Sequence, residues 1–454
     1  MPTMLDLIGE TPLVAIRHLD TGPCKLFLKL ESANPSGSIK DRPARAMIEA
    51  AERDGRLKPG GTLVEATAGN TGLGLAFVGG QKGYRTILVV PDKMSREKIV
   101  HARAMGAEVI LTRSDIRKGH ADYYQDLAAA IAQRTPGAIY INQFANPANP
   151  LAHEMTTAPE LLRQMDNDID AIVVGVGSGG TLTGVGRVMA RASPKTQMIL
   201  ADPVGSVLAP YVKTGKMTEA GSWNVEGIGE DFLPPNADLT LVRKTYSISD
   251  RDSFAACRDL LRAEGIFAGS SSGTLLCAAL LYCRAQSEPK RVVSFVCDTG
   301  AKYLSKVFSD AFLAQEGWTG RKRTGKVRDL VISPHGEGSI EVRPQDNLRT
   351  VFARMRAADV SQLPVMEGDR LVGLVDESDV LATLLSVQDR ADAFERPVKD
   401  VMVTQLETVS ADAPIEDLVP LFRKDFVAIV MDGGRFLGLV TRIDLINHFR
   451  LALQ

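Results

Sequence analysis

Four short polar loops combine residue types that could do chemistry with positions directly before helical segments. They are ESANPSGSIKDRPA (31–44), EATAGNTGLG (65–74), GVGSGGTLTGVG (175–186) and AGSSSGT (268–274). Backbone N–H groups at the start of a helix bind phosphate and carboxylate groups. The first loop also supplies Lys40, and a lysine amine can form a Schiff base with a carbonyl compound.

Each loop also has a plain structural interpretation. Lys40 taken alone would be a surface residue at a helix start, and the loops at 65–74 and 268–274 would be ordinary helix caps. The glycine-rich loop at 175–186 would be a tight turn between a strand and a helix.

Two phosphate ligands are compatible with the glycine-rich loop. Gly175, Gly177 and Gly180 match the dinucleotide fingerprint, and Asp202 ends the following strand where a ribose-binding acid belongs, which favours a nicotinamide-dependent dehydrogenase. However, several strand–helix units precede this loop, whereas the fingerprint usually opens its domain. Pyridoxal 5′-phosphate needs only the phosphate cradle, together with a lysine from elsewhere in the chain.

Strands and helices that position these loops alternate between residue 60 and about 300. Apolar runs typical of buried strands are separated by Ala-rich segments of helical period, and this pattern predicts an α/β architecture with mostly parallel strands. The runs are TLVEA, RTILVV, AEVIL, AIVVGV, QMILAD and RVVSFV.

Composition excludes several classes of protein. The 454 residues include 53 Lys plus Arg against 55 Asp plus Glu, and this balance argues against a dedicated nucleic-acid binder. The longest dense apolar run, Leu275 to Cys283, is about half of a bilayer span, so no membrane segment is expected. Five cysteines without a CxxC pair indicate reduced cytosolic thiols, and neither they nor the histidines have metal-ligand spacing.

An internal repeat occupies the C-terminal third. VRDL (327–330) matches VKDV (398–401), and RLVGLVDESDVL (370–381) matches RFLGLVTRIDLI (435–446). We expect the two units to pack as one pseudo-twofold module behind a Gly-rich basic linker. The predicted domains are 1–318, a linker at 319–326, and repeats at 327–390 and 391–454.

The four loops, in the order GSIKDR, TAGNTG, GSGGT and GSSSG, resemble the fold type II group of pyridoxal phosphate enzymes. Further segments are similar to the cysteine synthase/cystathionine β-synthase family, and the repeat resembles the paired CBS domains of that family. These segments are KMSREK (93–98), NPANPLAHEMTTAPELL (146–162), DPVGSVL (202–208), VEGIGEDF (225–232) and YLSKVFSDAFLAQEGW (303–318).

The resemblance implies two open twisted α/β subdomains followed by a CBS-domain pair, with pyridoxal phosphate as the cofactor. Lys40 would carry the cofactor, Asn70 would bond its ring hydroxyl, and Ser271 would face its pyridine nitrogen. The phosphate-binding positions would be Gly177, Ser178, Gly179, Gly180 and Thr181. The substrate-binding positions would be Thr67, Ala68, Gly69, Thr71, Gln143 and Gly227.

The implied reaction condenses L-serine with L-homocysteine to give L-cystathionine and water, with sulfide release from cysteine as a side reaction. Departures from the family pattern leave the thiol acceptor and the β-donor open. Ala68 replaces a serine, Glu230 and Phe144 replace tyrosines, and QFANPANP is the wording of cysteine synthases. Synthesis of cysteine from O-acetylserine and sulfide is therefore the alternative.

Haem is not expected, because only ten residues precede TPLV (11–14). Within the C-terminal pair, Thr441 and Asp444 complete a GxxTxxD pattern that binds adenosyl nucleotides in the family, whereas the first repeat has Asp376 in place of the hydroxyl. Ligand binding and a purely dimerising role both remain open for this pair. The resemblance further implies a cytoplasmic homodimer.

Overall fold

The structure, a computed structural model, describes residues 1–67, 69–92, 94–116, 119–319, 324–331, 340–386, 390–424 and 426–452. The chain divides into two compact units, Met1–Phe308 and Ser309–Gln454. Half of the predicted linker 319–326, residues 320–323, lies outside the described residues. In the described ranges, no helix combines the length and the apolar composition that crossing a membrane requires.

The first unit alternates strands and helices, as predicted. Its strands are β1 (Leu13–Ala15), β2 (Lys25–Leu30), β3 (Thr62–Ala66), β4 (Arg85–Pro91), β5 (Glu108–Thr112), β6 (Ala138–Tyr140), β7 (Ala171–Val174), β8 (Gln197–Pro203), β9 (Val242–Ile248) and β10 (Arg291–Val296). Its helices are α1 (Asp41–Arg53), α2 (Asn70–Gln81), α3 (Arg96–Ala104), α4 (Tyr124–Arg134), α5 (Ala148–Ala152), α6 (Ala158–Gln164), α7 (Gly180–Ala192), α8 (Leu208–Thr214), α9 (Asp250–Glu264) and α10 (Ser270–Arg284). A π-helical turn, His153–Thr157, joins α5 to α6.

These strands form two sheets. The smaller sheet has the order β5-β4-β3-β6 with all strands parallel, and Val64 pairs with both Ile87 and Tyr140. The larger sheet has the order β1-β2-β10-β7-β8-β9, in which only the β1–β2 pair is antiparallel. All six predicted strands are present, and the α/β class is confirmed.

Helices α1 and α2 hold the first two polar loops against each other. Gly74 on α2 faces the carbonyl oxygen of Lys40, and a Cβ atom at Gly74 would lie 2.9 Å from it. Met47 and Ile48 of α1 pack against Leu75 of α2 in one buried core. The missing side chain at Gly74 therefore lets α2 approach the start of α1, which fixes Lys40 relative to the 65–74 loop.

The second unit carries the repeat. Its helices are α11 (Asp310–Gln315), α12 (Leu348–Ala358), α13 (Glu377–Ser386), α14 (Arg390–Phe394), α15 (Leu418–Arg423) and α16 (Arg442–Ala452). Its strands are β11 (Gln362–Glu367), β12 (Arg370–Asp376), β13 (Thr408–Ser410), β14 (Ala428–Asp432) and β15 (Arg435–Val440).

The two repeats exchange their first elements. Val327 and Leu330, which open the first repeat, pack into the core around Leu418 of the second repeat. Val398, which opens the second repeat, packs into the core around Val351 of the first. Each core therefore needs residues from both repeats, and the predicted single pseudo-twofold module is confirmed.

Candidate active site

The predicted site residues meet at one cavity of about 860 Å³ in the first unit. It lies beyond the carboxyl ends of the parallel strands, where open α/β sheets usually bind ligands. Its walls include Lys40, Asn70, Gly177, Ser178, Gly179, Gly180, Thr181 and Ser271, and also Thr67, Gly69, Thr71, Gln143 and Gly227. Ala68 lies outside the described residues.

Lys40 stands at the N-cap of α1 and points into this cavity. Burial lowers the pKa of its amine, Cys297 and Asp298 oppose that shift, and the nearby Lys98 reinforces it. A lysine with a lowered pKa is more often uncharged at neutral pH, and an uncharged amine can act as a nucleophile or a base. The surface interpretation of Lys40 is therefore wrong.

Two glycines of the loop between β7 and α7 cannot accept side chains. A Cβ at Gly177 would lie 2.6 Å from the carbonyl oxygen of Gly227, and one at Gly179 would lie 2.6 Å from the backbone of Ala237. Gly179 has φ +87°, and the thirteen-residue helix α7 begins immediately after it. Free N–H groups at this turn form an anion cradle.

The cradle and Lys40 suit one cofactor class. A phosphate fits the backbone N–H groups before α7, while an aldehyde would react with the amine of Lys40 across the same cavity. The donor set therefore fits pyridoxal phosphate.

A second set of donors surrounds the start of α2. Gly69 has φ +137°, and a Cβ there would lie 2.5 Å from the Lys98 side chain. The Thr71 hydroxyl donates to Gln143 Oε1 at 2.6 Å, and Asn149 Nδ2 donates to the backbone oxygen of Gln143 at 2.8 Å. The N-terminus of a helix together with fixed hydroxyl and amide groups suits a carboxylate.

Glu65 lies directly beneath this second set. Its carboxyl group is fully buried and accepts the backbone N–H groups of Ala66 at 3.0 Å and Gln143 at 3.2 Å. Burial raises the pKa of Glu65 to about 8, against the lowering effect of those N–H groups. Burial therefore outweighs the backbone N–H groups that favour the ionised carboxylate.

The three serines of the loop before α10 make different contacts. Ser270 Oγ accepts the N–H of Glu226 at 3.0 Å, and Ser272 Oγ accepts the N–H of Cys297 at 2.9 Å. Ser271, between them, lines the cavity and is 4% exposed. Its two neighbours therefore tie the loop to the rest of the unit, and Ser271 is the one that a ligand would meet.

Two polar residues after β10 were not predicted as site residues. Asn70 Nδ2 donates to Asp298 Oδ2 at 2.6 Å, and Lys302 Nζ donates to Asn70 Oδ1 at 2.9 Å. Polar residues that directly follow a buried parallel strand were the available sequence signal, because ligand sites gather at that edge.

Asp202, the ribose ligand of the dehydrogenase interpretation, lies away from the cavity walls. It is fully buried at the end of β8, where Oδ2 accepts the N–H of Ala209 at 2.8 Å. Burial raises its pKa to about 6. Because this carboxylate caps the start of α8, it cannot reach a ribose in the cavity.

The departures from the family pattern also line the cavity. Phe144 packs against Phe232 with ring centroids 5.4 Å apart, and Glu230 lies on the same side. Tyr123 and Tyr124 reach this cavity as well, and burial raises the pKa of Tyr123 to about 12. Two phenol groups therefore remain in a cavity that lacks the two family tyrosines.

In the second unit, the predicted nucleotide residues cap a helix. The backbone N–H and the hydroxyl of Thr441 both donate to Asp444 Oδ2, at 2.8 and 2.7 Å. The first repeat keeps the backbone part of this arrangement, since the N–H of Asp376 donates to Asp379 Oδ2 at 2.9 Å. The described ranges contain no group of three His, Cys, Asp or Glu side chains that could hold a metal ion.

Comparison with known proteins assigns both parts of the chain. Residues 4–298 match the family model described as pyridoxal-phosphate dependent enzyme, and residues 328–386 and 398–451 match the CBS domain. Cystathionine beta-synthase of Apis mellifera is 40% identical over 98% of this chain and 90% of its own length. The Mus musculus enzyme of that name is 35% identical over 95% of this chain and 78% of its own length.

Solved structures resemble about two thirds of the chain. A hydrogen sulfide-producing enzyme from Fusobacterium nucleatum has a TM-score of 0.63 and 34% identity, covering 67% of this chain and 100% of its own. O-ureido-L-serine synthase has a TM-score of 0.62 and 33% identity, covering 68% of this chain and 95% of its own. The predicted fold type II architecture is confirmed.

Proposed function

The chain belongs to the cystathionine β-synthase family of pyridoxal-phosphate dependent enzymes, and from that premise we propose that it condenses L-serine with L-homocysteine to give L-cystathionine and water. One observation carries this proposal. Lys40, the glycine-rich phosphate cradle and the start of α2 face one cavity, in a chain that matches such enzymes over nearly its whole length. The dehydrogenase alternative is dropped, because Asp202 is buried away from that cavity.

Pyridoxal phosphate, when bound, withdraws electrons from the substrate Cα, so that the Cα proton and the β-substituent can both leave. The loop from Gly177 to Thr181 would hold its phosphate, and Lys40 would hold it covalently. The neutral hydroxyl of Ser271 would face its ring nitrogen without protonating it, which favours elimination over racemisation.

The other residues would bind the substrate and move its proton. Thr67, Gly69, Thr71 and Gln143 would hold the serine carboxylate at the N-terminus of α2. Once released, Lys40 Nζ would take the Cα proton, because burial lowers the pKa of this amine. The serine hydroxyl would leave the β-carbon with that proton as water. The homocysteine sulfur would then bond to the β-carbon, and its thiol proton would replace the one taken from Cα.

Replacing Lys40 with alanine tests the assignment of the cofactor. We expect purified wild-type protein to be yellow, and Lys40→Ala to lose both the covalently held cofactor and all measurable product formation. Lys58→Ala changes an exposed lysine and serves as the matched control. A wild-type protein that binds no pyridoxal phosphate after incubation with it would overturn the proposed function.

Cysteine synthesis from O-acetylserine and sulfide is the second candidate, because Phe144 in QFANPANP follows the cysteine-synthase wording. A competition assay would offer serine and O-acetylserine together with homocysteine and sulfide, and mass spectrometry would identify the products. Dominant cystathionine supports the first candidate and dominant cysteine supports the second. Sulfide release from cysteine alone is measured separately as the side reaction.

We propose that the C-terminal pair is a regulatory module spanning domains at 327–390 and 391–454, after a catalytic domain at 1–318. Thr441 and Asp444 would contact an adenosyl ligand, and calorimetric titration with S-adenosylmethionine and with adenosine nucleotides tests this.

We further propose a cytoplasmic homodimer without haem. Five free thiols support the reducing compartment, light scattering tests the dimer, and the absence of a Soret band tests the last point.

A further inference from the structure

The side-chain amide of Asn70 is held from both sides by groups behind the cavity wall. Lys302 Nζ donates to Asn70 Oδ1 at 2.9 Å, and Asn70 Nδ2 donates to Asp298 Oδ2 at 2.6 Å. Asn70 itself lines the cavity, whereas Lys302 and Asp298 are buried and belong to the segment that follows β10. We name these three residues the Asn70 clamp.

The chemistry of the two partners leaves a single orientation for the amide. A lysine ammonium can only donate a hydrogen bond, and an ionised carboxylate can only accept one. The amide oxygen must therefore face Lys302, and the NH₂ group must face Asp298. One N–H of Asn70 is used by Asp298, and the other has no acceptor among the described residues, so it can serve an acceptor in the cavity.

Further hydrogen bonds fix the clamp in place. The hydroxyl of Tyr303 donates to Asp298 Oδ2 at 2.7 Å. Lys98 Nζ in turn donates to the phenol oxygen of Tyr303 at 2.8 Å. Among the described residues, Asp298 Oδ1 is buried without a hydrogen-bond partner. A buried carboxylate that is only partly satisfied costs stability, so packing alone does not account for it.

The same segment also joins the loops that carry the site. The backbone N–H of Thr299 and the Lys302 amine both donate to the Gly37 oxygen, at 3.2 Å each, three residues before Lys40. The backbone N–H of Gly269, two residues before Ser271, donates to the backbone carbonyl oxygen of Asp298 at 3.1 Å. A shift of this segment would therefore reach Lys40, Asn70 and Ser271 together.

We propose that Lys302 and Asp298 are positioning residues that keep the Asn70 amide turned as a hydrogen-bond donor toward the ring hydroxyl of the cofactor. This inference rests on the proposed function, because it requires pyridoxal phosphate in the cavity with Asn70 at that hydroxyl. Neither residue lines the cavity. Their effect passes through Asn70, and removing Asn70 must therefore remove it.

A double-mutant cycle tests this dependence, with the absorption maximum of the bound cofactor and its affinity as the two measurements. Lys302→Met, Asn70→Ala and the double variant are freed of cofactor, and pyridoxal phosphate is then titrated back while its visible absorption and its affinity are measured. We expect each single variant to bind about tenfold more weakly, with its absorption maximum shifted in the same direction. The double variant should match Asn70→Ala alone, because the two residues act as one unit.

Lys302→Arg serves as the conservative control, since it keeps a buried cation, and it should recover most of the wild-type absorption. If Lys302→Met does not fold, Lys302→Gln takes its place in the cycle. Additive effects in the double variant, or an unchanged absorption maximum in Lys302→Met beside a shifted Asn70→Ala, would overturn the inference and leave the proposed function intact. A wild-type protein that binds no pyridoxal phosphate would instead overturn the proposed function.

Discussion

Two groups of buried charges flank the start of helix α1, and they are paired to very different degrees. Behind the helix, Arg42 makes two hydrogen bonds to Glu31, both at 2.8 Å, and two to Glu160, at 2.5 and 2.8 Å. Lys29 completes this group through Glu160 at 2.7 Å. Two cations therefore face two carboxylates, and we name these four residues the Arg42 cluster.

Some groups on the cavity side lack this balance. Asp298 keeps one oxygen without a partner among the described residues, and Glu65 accepts only backbone N–H groups. Burial lowers the pKa of Lys302 to about 8, although Asp298 lies next to it and opposes the shift. Close charge pairing thus holds the scaffold behind Lys40, whereas the cavity side retains groups whose hydrogen-bonding or charge requirements are only partly met.

The largest expected effect comes from breaking the paired side. Arg42→Met leaves Glu31 and Glu160 buried with a single cation, so the first unit should lose about 3–5 kcal/mol of unfolding free energy. Scanning calorimetry measures the loss, because it can resolve the transitions of two units.

Arg45→Met is the matched control on the same helix. Arg45 pairs with Glu49 at 2.9 Å, and the two side chains are 36% and 34% exposed, so its loss should stay below about 1 kcal/mol. Equal destabilisation by the two variants would show that the buried Arg42 cluster contributes no more to the unfolding free energy than an exposed ion pair.

The sequence predicted the elements and the local part of the site. All six apolar runs became strands, and Lys40, Asn70 and Ser271 were placed by short motifs that each form one loop at a strand end. Such motifs are predictable because turn chemistry and helix starts depend on neighbouring residues.

The remaining features depend on distant contacts. Asn70 and Asp298 are 228 positions apart, and no local pattern pairs them. The same holds for Val327, which packs with Leu418 of the other repeat rather than with its own. Strand β9 was missed because its middle residues are exposed or half-buried, so it lacks the apolar run of a central strand.

A smaller effect should follow from Glu65, the buried carboxyl group on the cavity side that accepts backbone N–H groups. Burial raises the pKa of Glu65 to about 8 from a usual value of 4.5. Between these values the native protein holds a proton that the unfolded chain releases, so stability falls as pH rises. Glu65→Gln removes this proton, and between pH 5 and 8 its unfolding free energy should decline less than that of the wild type, by on the order of 3 kcal/mol. Parallel curves for the two proteins would mean that Glu65 is charged in the native state.

The smallest effect should have the opposite sign, and it belongs to the Arg42 cluster. The hydrogen bonds and charges of Arg42, with those of Lys29, outweigh burial and lower the pKa of Glu160 to about 2. Between pH 4.5 and 2 the unfolded chain binds a proton that native Glu160 does not, so stability is lost as pH falls. Glu160→Gln should be less stable than the wild type at pH 7, but this difference in unfolding free energy should narrow by on the order of 1 kcal/mol between pH 5 and pH 3.

Urea denaturation at pH 5 and pH 3 measures the difference, with Glu49→Gln as the exposed control. A constant gap would mean that Glu160 is no better paired than the carboxyl groups around the cavity.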